Sequence, residues 1–243
     1  MRRLPLSGLA EGARALPPEA ARYVARVLRM RAGDALEAFD PRAGLVAEAR
    51  IARVQGDDVD ITVGSLRAEA PQPPLVLVQG YPKGDKLGDV VRDATELGAT
   101  LVIPAICARS IARPDAAKAG AKAERLASIA AEAARQCGRT RAPEIAPPLP
   151  LSDALDLARA HAAHRFVLWE RATAPLGPEL SRVDARAGAA FVIGPEGGLA
   201  DEEVERADSL GFLARSLGPV VLRTETAATA VLGAYRVLTF PPG

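Results

Sequence analysis

Hydrophobic and polar positions change their pattern near residue 72 of this chain. Before it, apolar and polar residues alternate in LEAFD, LVAEARIARV and VDITVGSL, and the turn-forming segments PRAG and QGDD separate these runs. Alternation with a period of two is typical of strands that bury one face, so residues 36–67 predict a small antiparallel sheet or barrel. One helix is predicted in this part, around PEAARYVARVLRM.

Beyond residue 72, continuous apolar runs alternate with segments whose apolar residues recur at helical spacing. The segment EAPQPP, residues 69–74, holds three prolines, and proline cannot join a sheet ladder, so we expect a domain boundary here, between domains 1–72 and 73–243. Strands are predicted at LVLVQG, LVIPAI, FVLWE, AAFVIG and LARSLG. Helices are predicted at GDKLGDVVRDATELG, residues 115–136, DALDLARAHA, DEEVERADSLG and residues 225–239, with Ser152 or Asp153 capping the third of them. This order predicts an α/β domain whose mainly parallel sheet is covered by helices on both faces.

Three of these strands end in segments that could bind a ligand. They are Leu168–Glu170, Gly194–Gly198 in GPEGG, and Leu217–Pro219. Ligands of parallel sheets gather at the carboxyl ends of the strands, so we expect the three segments to converge on one crevice. Glycine lets a ligand approach the main chain closely, although a plain strand-to-helix turn explains GPEGG equally well.

Charge and composition narrow the class of protein. The net charge is +1, yet residues 1–31 and residues 107–141 each carry an excess of five positive charges. One such stretch can be a solvated helix face, but two favour a polyanionic partner. The chain has no apolar run of membrane-spanning length and no secretory signal, so we expect a cytoplasmic protein. The two cysteines have no metal-ligand spacing, and no metal site is predicted.

The crevice motifs do not fit a nucleotide phosphate site. The chain contains neither GxxxxGK[ST] nor GxGxxG, and GPEGG puts a carboxylate where a pyrophosphate site favours amide donors. Glu196 and Glu170 instead suggest a ligand with cationic or hydroxyl groups. The missing glycine fingerprint argues against a nucleotide-dependent oxidoreductase, whereas the basic stretches alone would also fit a non-catalytic RNA-binding protein.

The carboxyl-terminal stretch IGPEGGLADEEVERADSLGFLARSLGPVVLRTETAATAVLGA resembles the signature of the RsmE family. These are SPOUT-class methyltransferases that methylate N3 of a uridine in 16S ribosomal RNA. Further motifs are similar to those of the family, namely MRRLPL, YVARVLRMRAGDALEAFD, KGDKLGDVVRDATELGATLVIPAICARS and ARQCGRTRAPEI. The resemblance implies a PUA-like RNA-binding β-barrel over residues 1–72 and a SPOUT methyltransferase domain over residues 73–243, with a deep trefoil knot at its carboxyl terminus.

The resemblance also implies S-adenosylmethionine as cofactor, a homodimer, and 16S rRNA of the small ribosomal subunit as partner. A SPOUT methyltransferase that acts on another RNA stays an alternative. The expected cofactor-binding residues are Leu168, Glu170, Ile193, Gly194, Pro195, Glu196, Gly197, Gly198, Leu217, Gly218, Pro219, Leu222, Thr224, Thr226 and Ala227.

Methylation of uracil N3 needs removal of a proton and stabilisation of an anion spread over two carbonyl oxygens. Arg223 is the first candidate to orient substrate or cofactor, and Arg109 and Arg139 are candidates to hold the target nucleotide. Glu225 is a candidate base, although a carboxylate in the first turn of a helix is as readily structural. The expected RNA-binding residues are Arg2, Arg3, Arg22, Arg26, Arg29, Arg31 and Lys83.

Overall fold

The computed structural model describes residues 2–69, 72–112 and 119–239, which divide into two compact units. The first unit comprises Met1–Pro71 and Ala134–Ala142. The second comprises Gln72–Ala133 and Pro143–Gly243. The segment 134–142 therefore joins the first unit, although the sequence prediction assigned it to the second domain.

The first unit is built on a six-stranded sheet. Its strands are β1 (Arg3–Pro5), β2 (Gly12–Ala15), β3 (Ala35–Asp40), β4 (Leu45–Gln55), β5 (Asp58–Val63) and β6 (Arg67–Ala68). The order is β1-β3-β4-β5-β2, with β6 on β4, and every pair except the parallel β1 and β3 is antiparallel. Helix α1 (Pro18–Arg22) continues as one π-helical turn, Tyr23–Val27. The predicted antiparallel sheet is confirmed, and the predicted helix is shorter than its sequence pattern.

A buried aspartate orders two loops of this unit. The Asp40 carboxylate is 4% exposed and accepts backbone N–H groups of Gly8 at 2.7 Å and Arg42 at 3.0 Å. Leu9 and Ala43 donate to it at 3.4 and 3.3 Å. Because a buried carboxylate is tolerated only when its oxygens are hydrogen-bonded, this residue fixes both loops at the end of β3.

The second unit contains a wholly parallel seven-stranded sheet; a mainly parallel sheet was predicted, but its two shortest strands, β9 and β10, were not. Its strands are β7 (Leu75–Gly80), β8 (Leu101–Ile106), β9 (Glu144–Ile145), β10 (Leu149–Pro150), β11 (His164–Leu168), β12 (Ala189–Ile193) and β13 (Leu213–Arg215). The order is β10-β8-β7-β12-β11-β13, with β9 on β8. All residues of β7 and β12 are buried, which explains why these two strands have continuous apolar sequences.

Helices alternate with the strands of this sheet along the chain. They are α2 (Lys86–Glu96), α3 (Ala119–Cys137), α4 (Leu151–His161), α5 (Gly177–Leu180), α6 (Asp201–Ser209) and α7 (Thr224–Thr239), with a 3₁₀ turn at Ala185–Ala187. Helices α4 and α6 pack on one face, against Val78 and Val192 among others. Helix α7 packs on the other face, where the Tyr235 ring meets Phe191 edge to face at 5.7 Å. The predicted α/β architecture is confirmed.

Two details differ from the sequence expectations. Helix α4 begins after Pro150 without a side-chain cap, and the Ser152 hydroxyl donates to Asp153 instead, so the predicted cap is wrong. The predicted start of α3 near residue 115 lies outside the described residues, and the trefoil knot stays a prediction. Within the described ranges, no helix combines the length and hydrophobicity that a membrane crossing requires.

Candidate active site

A cavity of about 520 Å³ lies within the second unit, at the carboxyl ends of β11, β12 and β13. Its walls come from Leu168–Glu170 after β11, Gly194–Leu199 after β12 and the segment 216–224 after β13. Parallel strands bring these ends to one edge of the sheet, which is where the sequence predicted the crevice. Its volume is that of a small-molecule site.

The loop after β12 packs against β7 main chain to main chain. A Cβ atom on Gly80 would lie 2.3 Å from the Pro195 nitrogen and 2.6 Å from the Gly194 carbonyl carbon. A Cβ atom on Gly194 would in turn lie 3.1 Å from the Leu199 nitrogen. Only glycine fits at Gly80, and this close approach sets the position of the loop that begins with Gly194.

The loop after β12 makes a tight turn at residues 195–198. The Gly198 N–H donates to the Pro195 carbonyl at 2.9 Å, and Gly198 has a φ of +72°, a conformation that favours glycine. A Cβ on Gly198 would lie 3.0 Å from the Glu170 Oε1, and one on Gly197 would lie 3.0 Å from the Arg109 Cβ. The Gly-Pro-Glu-Gly-Gly sequence therefore forms a tight turn held between Glu170 and Arg109.

A buried hydrogen-bond chain joins β7 to two of the segments that border the cavity. The Gln79 Nε2 donates to the Thr224 Oγ1 at 2.6 Å, and the Thr224 hydroxyl donates to the Gly194 carbonyl at 2.6 Å. Gln79 is fully buried and Thr224 is 5% exposed. Leaving the Gln79 Nε2 or the Thr224 hydroxyl buried without a partner would be costly, so this chain locks the ends of β7 and β12 to the first turn of α7.

Lys86 and two carboxylates make a second link between the loop after β12 and the start of α7. The Lys86 Nζ lies 3.4 Å from the Glu196 Oε1 and 3.3 Å from the Glu225 Oε1. The Glu225 hydrogen bond is the main cause that raises the pKa of Lys86. Burial alone would raise the pKa of Glu196, but its own N–H, the Lys83 N–H and the Lys86 ammonium together lower it. The Glu196 carboxylate is thus engaged by the protein.

Two other charged groups at the cavity are not engaged in this way. Glu170 and Arg223 line it, and within the described residues neither side chain has an ion-pair or hydrogen-bond partner. An unpaired carboxylate can accept from hydroxyl groups or face a cation, and an unpaired guanidinium can face a developing anion. These two side chains are therefore the charges available to ligands.

The cavity wall also holds the only tryptophan of the chain, Trp169. The Arg171 guanidinium lies 4.4 Å from the centre of its ring, and the Arg171 side chain pairs with Asp201 at the start of α6. Leu168, Ile193 and other apolar residues complete this wall. Trp169 thus forms part of the cavity wall, and its fluorescence can report whether the cavity is filled.

Most of the predicted cofactor-binding residues line this one cavity. They are Leu168, Glu170, Ile193, Gly194, Pro195, Glu196, Gly197, Gly198, Leu217, Gly218, Pro219, Leu222, Thr224 and Ala227. Thr226 is exposed on α7 and is not among the lining residues. The sequence prediction missed the lining residues Lys86, Leu199, Ser216, Val220 and Val221. Lys86 gave no signal because a lysine within KGDK resembles any solvent-exposed lysine.

The four predicted catalytic residues lie in different places. Arg223 lines the cavity, and Glu225 lies beside it on α7, paired with Lys86. Arg109 lies behind the glycine turn, with its Nη1 3.5 Å from the Gly197 carbonyl. Arg139 belongs to the first unit. The structure therefore brings Arg223 to the cavity directly and leaves the roles of the others as predictions.

Several predicted RNA-binding residues take part in ion pairs on the first unit. Arg22 and Arg26 both face Asp57, at 3.9 and 2.6 Å, and the hydrogen bond from Arg26 is the main cause that lowers the pKa of Asp57. Arg3 pairs with Glu37 at 2.9 Å. The two pairs with Asp57 are solvent-exposed, so exchanging them for phosphates costs little, whereas Glu37 is only 16% exposed.

The other predicted RNA-binding residues are exposed. Arg2, Arg29 and Arg31 lie on the first unit, and Arg29 has a φ of +51°, in the left-handed region. Lys83 is exposed in the second unit, between β7 and α2. Their contact with RNA stays a prediction.

Comparison with known proteins gives a consistent result. Residues 68–236 match the family model of an RNA methyltransferase domain, and residues 16–64 match that of an RNA methyltransferase PUA domain. The chain is 32% identical to ribosomal RNA small subunit methyltransferase E of Bacillus subtilis over 227 residues, which cover 91% of this chain and 88% of that protein. It is 31% identical to the protein of the same name from Synechocystis sp., over 89% of this chain and 70% of the relative.

Solved structures agree with these matches. A ribosomal RNA small subunit methyltransferase E from Neisseria gonorrhoeae, solved with bound S-adenosyl methionine, superposes with a TM-score of 0.71. It is 27% identical, and the match covers 98% of both chains. The resemblance carried by the GPEGG and LRTETA motifs is thereby confirmed. Because relatives above 30% identity and two family models cover most of its length, the chain belongs to the ribosomal RNA small subunit methyltransferase E family.

Proposed function

We propose that this protein transfers the methyl group of S-adenosylmethionine to N3 of a uridine in 16S ribosomal RNA. The observation that carries the proposal is the cavity of about 520 Å³ formed by the three strand-end loops, where most of the predicted cofactor-binding residues meet. The family relationship supports the reaction type, and a relative solved with S-adenosyl methionine supports the cofactor.

The residues of the cavity fit this cofactor chemically. Apolar side chains such as Leu168 and Leu222 offer surfaces for an adenine ring, and Gly194, Gly197 and Gly198 of the glycine turn also line the cavity. The unpaired Glu170 carboxylate suits the ribose hydroxyls or the positive charge of the sulfonium. When bound, the cofactor supplies the electrophilic methyl group.

Arg223 is the residue that we assign to the reacting base. Loss of the N3 proton to water leaves negative charge on the uracil O2 and O4 atoms, and the guanidinium of Arg223, an exposed residue that lines the cavity, stabilises that charge. Nitrogen N3 then attacks the methyl carbon while the bond from carbon to sulfur breaks, and S-adenosylhomocysteine is released. Arg109 and Arg139 stay candidates for holding the nucleotide.

The first domain, residues 1–72, is proposed to hold the RNA. Its match to a PUA domain and its exposed arginines support this role, and residues 73–243 are proposed to carry the methyl transfer. The small ribosomal subunit as the specific partner, a homodimeric state and a cytoplasmic location are parts of the same proposal, since they follow from the family.

Label transfer tests the proposed function. Purified protein is incubated with methyl-labelled S-adenosylmethionine and unmodified 16S rRNA or small subunits, and the digested RNA is analysed by nucleoside mass spectrometry. We expect labelled N3-methyluridine. Arg223→Ala should lower kcat about 100-fold while RNA affinity changes less than about twofold. Arg159→Ala, an exposed arginine paired with Asp156 on α4, is the matched control and should retain wild-type turnover. Labelled protein-bound cofactor without labelled RNA would leave only a binding role.

A further inference from the structure

The ammonium group of Lys86 lies between two carboxylates that belong to two other segments of the cavity. Lys86 is in the first turn of α2, Glu196 is in the glycine turn after β12, and Glu225 is in the first turn of α7. The distances are 3.4 Å to the Glu196 Oε1 and 3.3 Å to the Glu225 Oε1. One side chain therefore ties together three segments that are distant in sequence.

The positive charge of Lys86 offsets the repulsion between the two carboxylates. Without its positive charge, the Glu196 and Glu225 carboxylates would face each other and repel, and the glycine turn would separate from the start of α7. Both segments carry groups that border the cavity, among them Gly194 and Arg223. Because Arg223 lies one residue before α7, a shift of that helix start moves its guanidinium relative to the turn.

We infer that Lys86 is a positioning residue for methyl transfer, which sets the distance between the glycine turn and Arg223 through its two ion pairs. The inference rests on the proposed function. It also assigns Glu225 a structural role, because its Oε1 lies 3.3 Å from the Lys86 ammonium and Glu225 is not among the residues that line the cavity. Glu225 then acts through Lys86 and does not accept the N3 proton.

Two readouts separate this role from general stability. The first is the dissociation constant of S-adenosylmethionine, measured by Trp169 fluorescence, and the second is kcat on 16S rRNA. The side chains of Lys86 and its two partners are 27–38% exposed, so Lys86→Met should fold and weaken cofactor binding about fivefold. Lys86→Arg keeps the charge and should restore binding to within about twofold of wild type.

The same helix provides a matched control. Arg92 on α2 also bridges two carboxylates, with Asp89 at 3.0 Å and Asp93 at 2.9 Å, but it does not line the cavity. Arg92→Met should therefore leave cofactor affinity and kcat unchanged. Equal losses of affinity in Lys86→Met and Arg92→Met would overturn the inference.

Glu225→Gln is a second variant, and it tests the inference even if Lys86→Met does not fold. If Lys86 acts through Glu225, the double variant should lose no more affinity than Lys86→Met alone, because Lys86→Met already removes the ion pair with Glu225. Abolished turnover in Glu225→Gln with unchanged cofactor affinity would make Glu225 the base and contradict the inference.

If wild-type protein binds cofactor but labels no RNA, the proposed function fails while the affinity measurements still decide the role of Lys86. If it binds no cofactor, both fail.

Discussion

The contact between Gly80 and the glycine turn gives the sharpest prediction, for Gly80→Ala. The added Cβ would lie 2.3 Å from the Pro195 nitrogen, 2.6 Å from the Gly194 carbonyl carbon and 2.6 Å from the Pro195 Cδ. Ordinary van der Waals contact begins at 3.4 Å, and two of these atoms are backbone that cannot rotate away. The turn must therefore withdraw by roughly 1 Å, at a cost of about 1–3 kcal/mol for overpacking.

Such a displacement affects function more than stability. A misplacement of about 1 Å can cost about 100-fold in rate, and we expect that loss in methyl transfer, together with weaker cofactor binding. The melting temperature should fall by about 4–8 °C for a cost of 2 kcal/mol. Turnover is measured by label transfer, cofactor affinity by Trp169 fluorescence, and the melting temperature by circular dichroism.

A second glycine provides the control for this variant. Gly233 lies inside α7, and a Cβ added there meets no atom within 4 Å. Gly233→Ala should therefore retain activity and gain up to about 1 kcal/mol, because alanine favours the helix. Wild-type cofactor affinity in Gly80→Ala would refute the argument that the turn is positioned by main-chain contact with β7.

Three further predictions concern the polar groups. Thr224→Val removes the hydroxyl that donates to the Gly194 carbonyl, which should destabilise the protein by about 1–3 kcal/mol, measured by urea unfolding, and an unchanged midpoint would contradict the network. The pKa of Glu196 is below its usual 4.5, so its stabilising effect is complete above that pH and is lost as the pH falls through the lowered value. Melting curves of Glu196→Gln should show a deficit at about pH 7 that shrinks under acid, and a constant deficit would contradict this. Iodoacetamide should modify exposed Cys137 and spare Cys107, whose pKa burial raises to about 12, and mass spectrometry of native protein showing both modified would contradict it.

The sequence predicted best those strands and helices whose apolar pattern follows directly from which of their faces is buried. Strands β7 and β12 are apolar at nearly every position because both of their faces are covered, and α7 presents Val231, Leu232 and Tyr235 on one buried face. The antiparallel strands β3, β4 and β5 follow from alternation. In each case the periodicity of the apolar residues reflects which surface is hidden from water.

The elements that were missed depend on partners far away in the chain. Strand β1 is only three residues long and pairs with β3, some thirty residues later, so its local sequence has no period to recognise. Helix starts such as that of α4 were wrong for the same reason, because packing and not a side-chain cap determines them.

In the candidate site, too, features with a local sequence signal were predicted and features that depend on distant residues were not. The glycines and the strand ends could be found, since glycine next to a buried strand is a local signal. The pairing of Lys86 with Glu196 and Glu225 could not, because it joins residues more than a hundred positions apart and needs the sheet order to bring them together. The sequence also could not distinguish the engaged Glu196 from the unpaired Glu170.

A crystal structure of the protein with S-adenosylhomocysteine, the product left after methyl transfer, tests the central claim most directly. We predict that the ligand lies in the cavity between Leu168, the Gly194–Gly198 turn and Leu217, with its sulfur facing the side of Arg223. Density for the ligand at another place, with these loops empty, would contradict the account.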